Sequence, residues 1–143
     1  LHTDGAGAGE YRGGSGCVRT YRSMNDNQSF TASFGRNKWP VWGAAGGKDG
    51  SCNYFQFHDA DGNVSEPMGI VARRVMNKND VVRMVTATGG GYGDPMKRDP
   101  AKVAMDVKNE YITLEQAKAD YGVIVDPESF DVVGLTPERE AAK

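Results

Sequence analysis

Apolar side chains are few in this 143-residue chain, since hydrophobic residues make up only 38% of the sequence. Glycine, by contrast, takes 19 positions, which is about twice its usual share. Each ordered glycine loses more backbone entropy than any other residue, while a thin core returns little free energy. We therefore expect a chain of about one domain that depends on a partner for part of its stability.

An excess of charge of either sign is also missing. The 17 Lys and Arg residues nearly balance the 19 Asp and Glu residues, giving a formal net charge of -2. This balance argues against a nucleic-acid-binding domain, which usually carries a strong basic excess. One local basic stretch is interpreted either as a solvated face or as a contact for an anionic ligand or an acidic partner. Its members are Arg12, Arg19, Arg22, Arg36 and Lys38.

Cysteine is scarce as well. Cys17 and Cys52 lack the further ligands that a structural metal site needs, so no bound metal is expected. No apolar run approaches the roughly 18 residues of a membrane span, and no signal segment is recognisable. The sequence therefore predicts a cytoplasmic location and no membrane contact. It also predicts two free thiols that are buried or have no chemical role, with a disulfide as the less favoured alternative.

Local patterns predict an α+β fold with two compositional parts that form one structural unit. Residues 1–98 are glycine-rich and predict short strands with irregular, polyproline-II-like loops, whereas residues 99–143 predict a helical C-terminal tail. Apolar and aromatic alternation places strands at four positions. These are Cys17–Arg22, Ser29–Phe34, Asn53–Phe57 and Val81–Thr88. Asp61-Gly62 predicts a hairpin turn, and residues 77–80 predict a polar turn.

The tail contains recognisable helix signals. Asp99-Pro100 fits an N-cap followed by the first helical residue. Residues 113–116 fit a capping box, and Gly122 suits the C-terminal end of the same helix. Residues 123–125 then predict a short buried strand, and residues 136–138 start a final short helix whose charged end we expect to fray.

Nucleotide-binding motifs are incomplete. Residues 46–49 read Gly-Gly-Lys-Asp, which lacks both the hydroxyl residue and the upstream glycine of a phosphate-binding P-loop. The glycine repeat of residues 5–9 does not match the dinucleotide fingerprint. His2 and His58 complete no recognisable catalytic group. His58 is interpreted as a polar residue beside a turn, and the alternative is half of a metal site or a general base with the neighbouring Asp59 and Asp61. We therefore expect that this chain binds no cofactor and is not catalytic alone.

Three motifs, in their usual order, resemble the hydantoinase B/oxoprolinase family. The first covers residues 7–22, the second 42–50, and the third 89–123. The first reads Gly7-x-Gly9-x-Tyr11-Arg12-Gly13-Gly14-x-Gly16-x-x-Arg19-x-Tyr21-Arg22, and the second reads Trp42-Gly43 with Gly46-Gly47-Lys48-x-Gly50. The third reads Gly89-Gly90-Gly91-Tyr92-Gly93-Asp94-Pro95 with Arg98-Asp99-Pro100, Val103, Asp106-Val107, Glu115, Ala117 and Tyr121-Gly122-Val123. Members of this family are several times longer and carry these motifs in their last portion. The chain thus resembles a separately encoded C-terminal part, similar to the gamma subunits of acetophenone carboxylases.

The resemblance implies partners and chemistry beyond this chain. It implies a large hydantoinase-B-like subunit and hydantoinase-A-like kinase subunits, which would bind ATP, with or without a divalent metal, in a hetero-oligomer. The leading expectation is the small subunit of an ATP-dependent ketone carboxylase, a ligase that converts a ketone and bicarbonate to a 3-oxo acid in ketone degradation. The alternatives are a subunit of an ATP-dependent hydantoinase or oxoprolinase, which hydrolyses cyclic amides, and a purely non-catalytic assembly module completing a larger partner's fold.

Four residues are candidates for contact with substrate or an intermediate: Arg12, Arg19, Tyr92 and Asp94. An arginine can pair with phosphate or carboxylate, and neighbouring glycines let backbone N–H groups approach an anion. The Tyr92 ring can fill a pocket while its hydroxyl reaches a polar group. A structural glycine turn or a solvated arginine is the alternative explanation. We expect this chain to shape or close a site.

Overall fold

A computed structural model describes residues 1–3 and 5–141, so Asp4 and the predicted frayed end at 142–143 lie outside the described residues. The described chain mixes strands with short helices, which confirms the expected α+β class. The strands are β1 (Val18–Arg22), β2 (Gln28–Ser33), β3 (Tyr54–His58), β4 (Ile70–Met76), β5 (Val81–Val85), β6 (Val123–Val125) and β7 (Val132–Leu135). A short 3-10 helix (Pro95–Lys97) precedes α1 (Pro100–Lys108), α2 (Leu114–Tyr121) and α3 (Pro137–Ala141).

The chain divides into two compact units that are interleaved along the sequence. The strand unit comprises residues 1–2, 16–40 and 52–87, and the glycine–helix unit comprises the described residues of 3–15, 41–51 and 88–143. These boundaries differ from the change in composition at residue 98. The expectation that 1–98 and 99–143 form one dependent structural unit stays a prediction. No helix within residues 1–3 and 5–141 has the length and apolar character needed to cross a bilayer.

The strand unit is built on an antiparallel sheet in the order β1-β5-β3. Tyr21, Val82 and Phe57 lie side by side across its three strands. Alternation along β3 places Phe55 and Phe57 on the buried face, where the ring of Phe30 from β2 meets that of Phe57 at a centroid distance of 5.5 Å. Such edge-to-face contacts add about 0.5–1.5 kcal/mol to the free energy gained by burial.

The four predicted strands of this unit are confirmed, with shifts of a few residues at their ends. Both predicted turns are confirmed too. The Asp59 N–H donates to the Asn63 carbonyl oxygen at 3.0 Å around the hairpin turn. In the polar turn, the Asp80 N–H donates to the Asn77 carbonyl oxygen at 3.0 Å. Cys17 and Cys52 are both free, half-buried thiols, as the sequence predicts.

Strand β4 is a finding that the sequence patterns do not predict. Its two adjacent arginines, Arg73 and Arg74, break the alternation that marks a half-buried strand. A bulge against β2 accommodates this break: Arg73 has φ of 51° and its N–H donates to the Thr31 hydroxyl oxygen at 3.0 Å. The guanidinium of Arg74 lies 4.2 Å from the Phe57 ring centroid, so it covers the core with its charge facing a ring.

The helices of the second unit begin where the sequence predicts, and α2 also ends there. Asp99 caps α1 by accepting a hydrogen bond from the Ala101 N–H at 2.9 Å. Thr113 and Gln116 form the reciprocal capping box of α2. Gly122 ends α2 with φ of 63°, a left-handed conformation that glycine adopts without strain. These termini satisfy backbone groups that would otherwise lack partners.

The core of the glycine–helix unit lies between α1, α2 and β6. Val103, Ala117 and Val123 are completely buried there. The predicted strand at 123–125 and the predicted final helix are confirmed, whereas β7, which pairs with β6, is not predicted. The buried Arg139 of α3 donates to the carbonyl oxygens of Tyr121 and Arg98, so α3 is fixed to the end of α2 and to the segment before α1.

Candidate functional site

Three glycine-rich segments lie together in the glycine–helix unit. We call residues 5–14, 41–50 and 88–94 the glycine bundle. Backbone hydrogen bonds connect all three segments: the Gly7 N–H donates to the Gly89 carbonyl oxygen at 2.9 Å, the Gly91 N–H to Lys48 at 2.9 Å, and the Lys48 N–H to Ala8 at 2.7 Å. Parts of all three family-like motifs therefore meet in one structure, although they are far apart in the sequence.

Glycine has no side chain, and this makes the close approach of the three segments possible. A Cβ atom on Gly13 would overlap the carbonyl group of Gly89, and one on Gly47 would overlap that of Gly91. Similar backbone overlaps would arise at Gly7, Gly9, Gly43, Gly50, Gly90 and Gly91. The glycine excess that looks costly in the sequence thus serves a specific purpose, because only glycine lets three backbones pack against one another at this spacing.

One edge of the glycine bundle carries two exposed rings, which we call the tyrosine pair. Tyr11 and Tyr92 exchange both backbone hydrogen bonds, each 2.9 Å long, and their ring centroids lie 6.2 Å apart. Their exposed fractions are 62% and 58%. Tyr92 is a candidate from the sequence, whereas Tyr11 is not, although it stands within the first motif.

Asp94 lies next to the tyrosine pair, and its carboxylate has a structural partner. It caps the 3-10 helix by accepting a hydrogen bond from the Met96 N–H at 2.9 Å. The side chain is half-buried. Asp94 stands where the chain leaves the glycine bundle and continues toward α1. Its cap therefore sets the direction of the backbone at this point, close to the exposed rings.

Arg12 is mostly buried and paired with a carboxylate. We call Arg12, Arg98 and Asp106 the arginine–aspartate cluster. The Asp106 Oδ2 atom lies 3.5 Å from Arg12 Nε and accepts a hydrogen bond from Arg98 at 2.9 Å. These side chains are only 10–13% exposed. Arg12 also stacks over the Tyr111 ring, 5.0 Å from its centroid, so its guanidinium is engaged on two sides.

The arginine–aspartate cluster connects the bundle to the helices of the same unit. Arg98 also donates to the Glu10 carbonyl oxygen at 2.9 Å, while Asp106 lies on the buried face of α1. The ring of Tyr121 is buried nearby, and burial raises the pKa of Tyr121 to about 12, so its phenol is neutral at physiological pH. The sequence analysis includes Asp106 in the third motif but not among the candidate site residues. A signal for its role exists, because this carboxylate stands between Val103 and Val107 on the apolar helix face.

Arg19 belongs to the strand unit, unlike the other three candidates. It lies on β1 with its side chain exposed. A side-chain hydrogen bond with Tyr21 raises the pKa of Arg19 above its ordinary value, and the guanidinium is a cation at physiological pH, as arginine is in any case. Among the described residues, no group of three His, Cys, Asp or Glu side chains is arranged to hold a metal ion.

A family comparison now identifies the chain. The model of the hydantoinase B/oxoprolinase family matches residues 1–95, which is well over half of the sequence. The chain belongs to the hydantoinase B/oxoprolinase family. The family resemblance of the three motifs is therefore confirmed, and the glycine bundle and the tyrosine pair lie within the matched region.

Two curated relatives are subunits of enzymes. The chain is 33% identical over 134 residues to the B-type subunit of a putative D-/L-hydantoinase from Pseudomonas sp. (strain NS671), covering 92% of this chain and 22% of the relative. It is 30% identical over 132 residues to the beta chain of the caprolactamase from Pseudomonas jessenii, covering 88% of this chain and 22% of that protein. This chain therefore spans less than a quarter of the length of these relatives.

Two solved structures contain the same fold. The ATP-dependent caprolactamase of Pseudomonas jessenii superposes with a TM-score of 0.73 at 27% identity, covering 94% of this chain and 23% of that chain. Acetone carboxylase without nucleotide superposes with a TM-score of 0.75 at 21% identity, covering 99% of this chain and 23% of that chain. In both, the matching fold is a part of a much larger polypeptide.

Proposed function

We propose that this chain is a structural part of the B-type subunit of an ATP-dependent enzyme that hydrolyses cyclic amides. The observation that carries the proposal is the 33% identity, over 92% of the chain, to the B-type subunit of a hydantoinase. The 30% identity to a caprolactamase chain points to the same bond, the amide of a ring. Ketone carboxylation, which the motif resemblance places first, becomes the second candidate.

The chemistry of such a reaction explains why ATP is needed. An amide carbonyl is a weak electrophile because the nitrogen lone pair is delocalised onto it. Transfer of the ATP γ-phosphoryl group to the amide oxygen, with loss of the amide proton, gives a phosphorylated imidate whose carbon accepts water. The resulting adduct collapses with cleavage of the C–N bond and protonation of the nitrogen, which opens the ring and leaves an acyl phosphate. A second water hydrolyses this acyl phosphate to the carboxylic acid and phosphate. We assign the phosphoryl transfer to partner subunits of the hydantoinase-A type. This chain supplies a rigid backbone scaffold that helps to shape or close the space around the activated amide.

The side chains of the site support a positioning role. Arg12 is engaged by Asp106 and Tyr111, and Asp94 caps a helix, so both hold backbone in place. The Tyr92 ring is free to touch a neighbouring surface or a substrate. Arg19 keeps an exposed charge that suits an anionic ligand or an acidic partner. A purely non-catalytic assembly module is consistent with the same arrangement.

The second candidate, an ATP-dependent ketone carboxylase, is supported by one specific observation. Nearly the whole chain superposes on a segment of acetone carboxylase with a TM-score of 0.75. In that reaction a phosphorylated oxygen would make an enol or carboxy phosphate available for carbon–carbon bond formation, and this intermediate must be shielded from water. An identity of 21% supports a shared fold but carries no argument about the reaction, so the cyclic-amide proposal comes first.

A substrate panel separates the two candidates. The chain is tagged in its source and purified with its natural partners, and phosphate release from ATP is measured with hydantoins and lactams, and with ketones plus bicarbonate. We expect a cyclic amide alone to stimulate ATP hydrolysis and to yield the ring-opened acid. Stimulation that requires both a ketone and bicarbonate would instead establish the carboxylase. Activity that persists unchanged in Tyr92→Phe would favour the assembly role.

A further inference from the structure

The tyrosine pair is an unusual feature of the glycine bundle. The glycines of the bundle bring backbone close to backbone, yet its edge presents two large rings that are 62% and 58% exposed. A single exposed ring is common, whereas adjacent exposed rings indicate a surface that another molecule covers. Tyrosine is also enriched at the centres of protein interfaces, because it brings a large contact area with few rotatable bonds.

Backbone hydrogen bonds fix the main chain that carries both rings. Tyr11 and Tyr92 exchange two hydrogen bonds of 2.9 Å, and the Tyr92 segment also pairs with residue Ala44. Binding therefore has little backbone freedom to remove at these two positions, so more of the contact energy appears as affinity.

We propose that the tyrosine pair is a contact surface for the part of the B-type polypeptide that this chain does not match. The argument rests on the proposed function as a portion of a B-type subunit. In the caprolactamase structure, the equivalent fold makes up 23% of a single chain, so most of that polypeptide lies outside the matched portion. The unmatched part of the B-type sequence supplies the partner surface, whether it is encoded in one polypeptide with this chain or in a separate one.

A site-specific cross-link tests this surface in the natural assembly. Tyr11 and Tyr92 are each replaced with p-benzoylphenylalanine in the tagged protein, the purified assembly is irradiated, and the cross-linked peptides are sequenced by mass spectrometry. We expect both positions to capture peptides of a hydantoinase-B-type sequence outside the region that this chain matches. The same probe at Met105, an exposed residue of α1 in the same unit, serves as the control and captures these peptides poorly.

Truncation of the rings gives the quantitative test. Each of Tyr11→Ala and Tyr92→Ala should weaken association with that polypeptide by about tenfold or more, as expected for an interface hot spot, whereas Met105→Ala leaves it unchanged. Cross-links only to a second copy of this chain or to a kinase-like subunit would overturn the proposal, and so would an absence of cross-links. An assembly with the expected cross-links but without ATP hydrolysis on cyclic amides would overturn the proposed reaction and leave the contact surface standing.

Discussion

Replacing Gly13 with alanine is expected to destabilise the protein by about 3 kcal/mol or more, at or above the upper end of the usual cost of overpacking. The added Cβ would overlap the carbonyl group of Gly89 and would lie 3.0 Å from the Gly90 carbonyl oxygen. Backbone atoms cannot turn away as a flexible side chain can, so the segments themselves must separate. The hydrogen bond from the Gly13 N–H to the Gly7 carbonyl oxygen would be strained by the same shift.

The neighbouring glycine provides a matched control. Gly14 is exposed, and a Cβ atom on it would meet nothing within 4 Å, so Gly14→Ala should leave the stability nearly unchanged. Both variants are compared with the original protein by urea unfolding, followed by circular dichroism. Equal urea midpoints for Gly13→Ala and Gly14→Ala would show that close backbone packing at position 13 does not stabilise the fold.

Removing the charge of Asp106 is the second change for which we expect a large effect. Asp106→Asn keeps the size of the side chain but leaves the guanidinium groups of Arg12 and Arg98 buried without a compensating anion. Breaking a buried ion pair in this way costs about 3–5 kcal/mol. The cost is highest where the groups are well shielded from water, and here the three side chains are only 10–13% exposed. The measurement is again the shift of the urea midpoint.

Asp120→Asn is the control for this prediction. Asp120 pairs with Lys48 at 2.6 Å, a shorter distance than either pair of Asp106, but those side chains are 28% and 55% exposed. A solvent-exposed pair contributes about 1 kcal/mol or less. If Asp120→Asn cost as much as Asp106→Asn, burial would not be the property that makes the arginine–aspartate cluster important. Addition of salt should reduce the contribution of the exposed pair more than that of the buried one.

Local sequence signals predict the starts of the helices, the end of α2 and most of the strands. The capping box at Thr113 and the glycine at 122 satisfy backbone groups within a few residues, so their effect depends little on the rest of the chain. Strand β4 cannot be predicted in this way, because its pairing depends on contacts with residues that are distant in the sequence. Arg74 covers the Phe57 ring and Arg73 enters a bulge, and neither role can be seen in the alternation of residue types.

The candidate site is harder to predict because its contacts join distant parts of the sequence. Nothing in the residues around Gly47 indicates that Gly91 will pack against it, since glycine carries no side-chain pattern. Arg12 and Asp106 are separated by more than half of the chain, so a free arginine and a paired arginine look identical in the sequence. The family resemblance, in contrast, can be recognised from the sequence, because the motifs contain the glycine positions. The motifs do not show why glycine is needed at those positions.

The glycine bundle also limits the genetic routes by which a damaged protein can recover. In an ordinary core, an added methyl group can be suppressed by a second mutation that shortens a neighbouring side chain. Around Gly47, the atoms that a methyl group would displace belong to the backbone of Gly91 and Tyr92, which no substitution can shorten. Suppressors must therefore lie outside the contact, where they stabilise the protein as a whole, or else restore glycine itself.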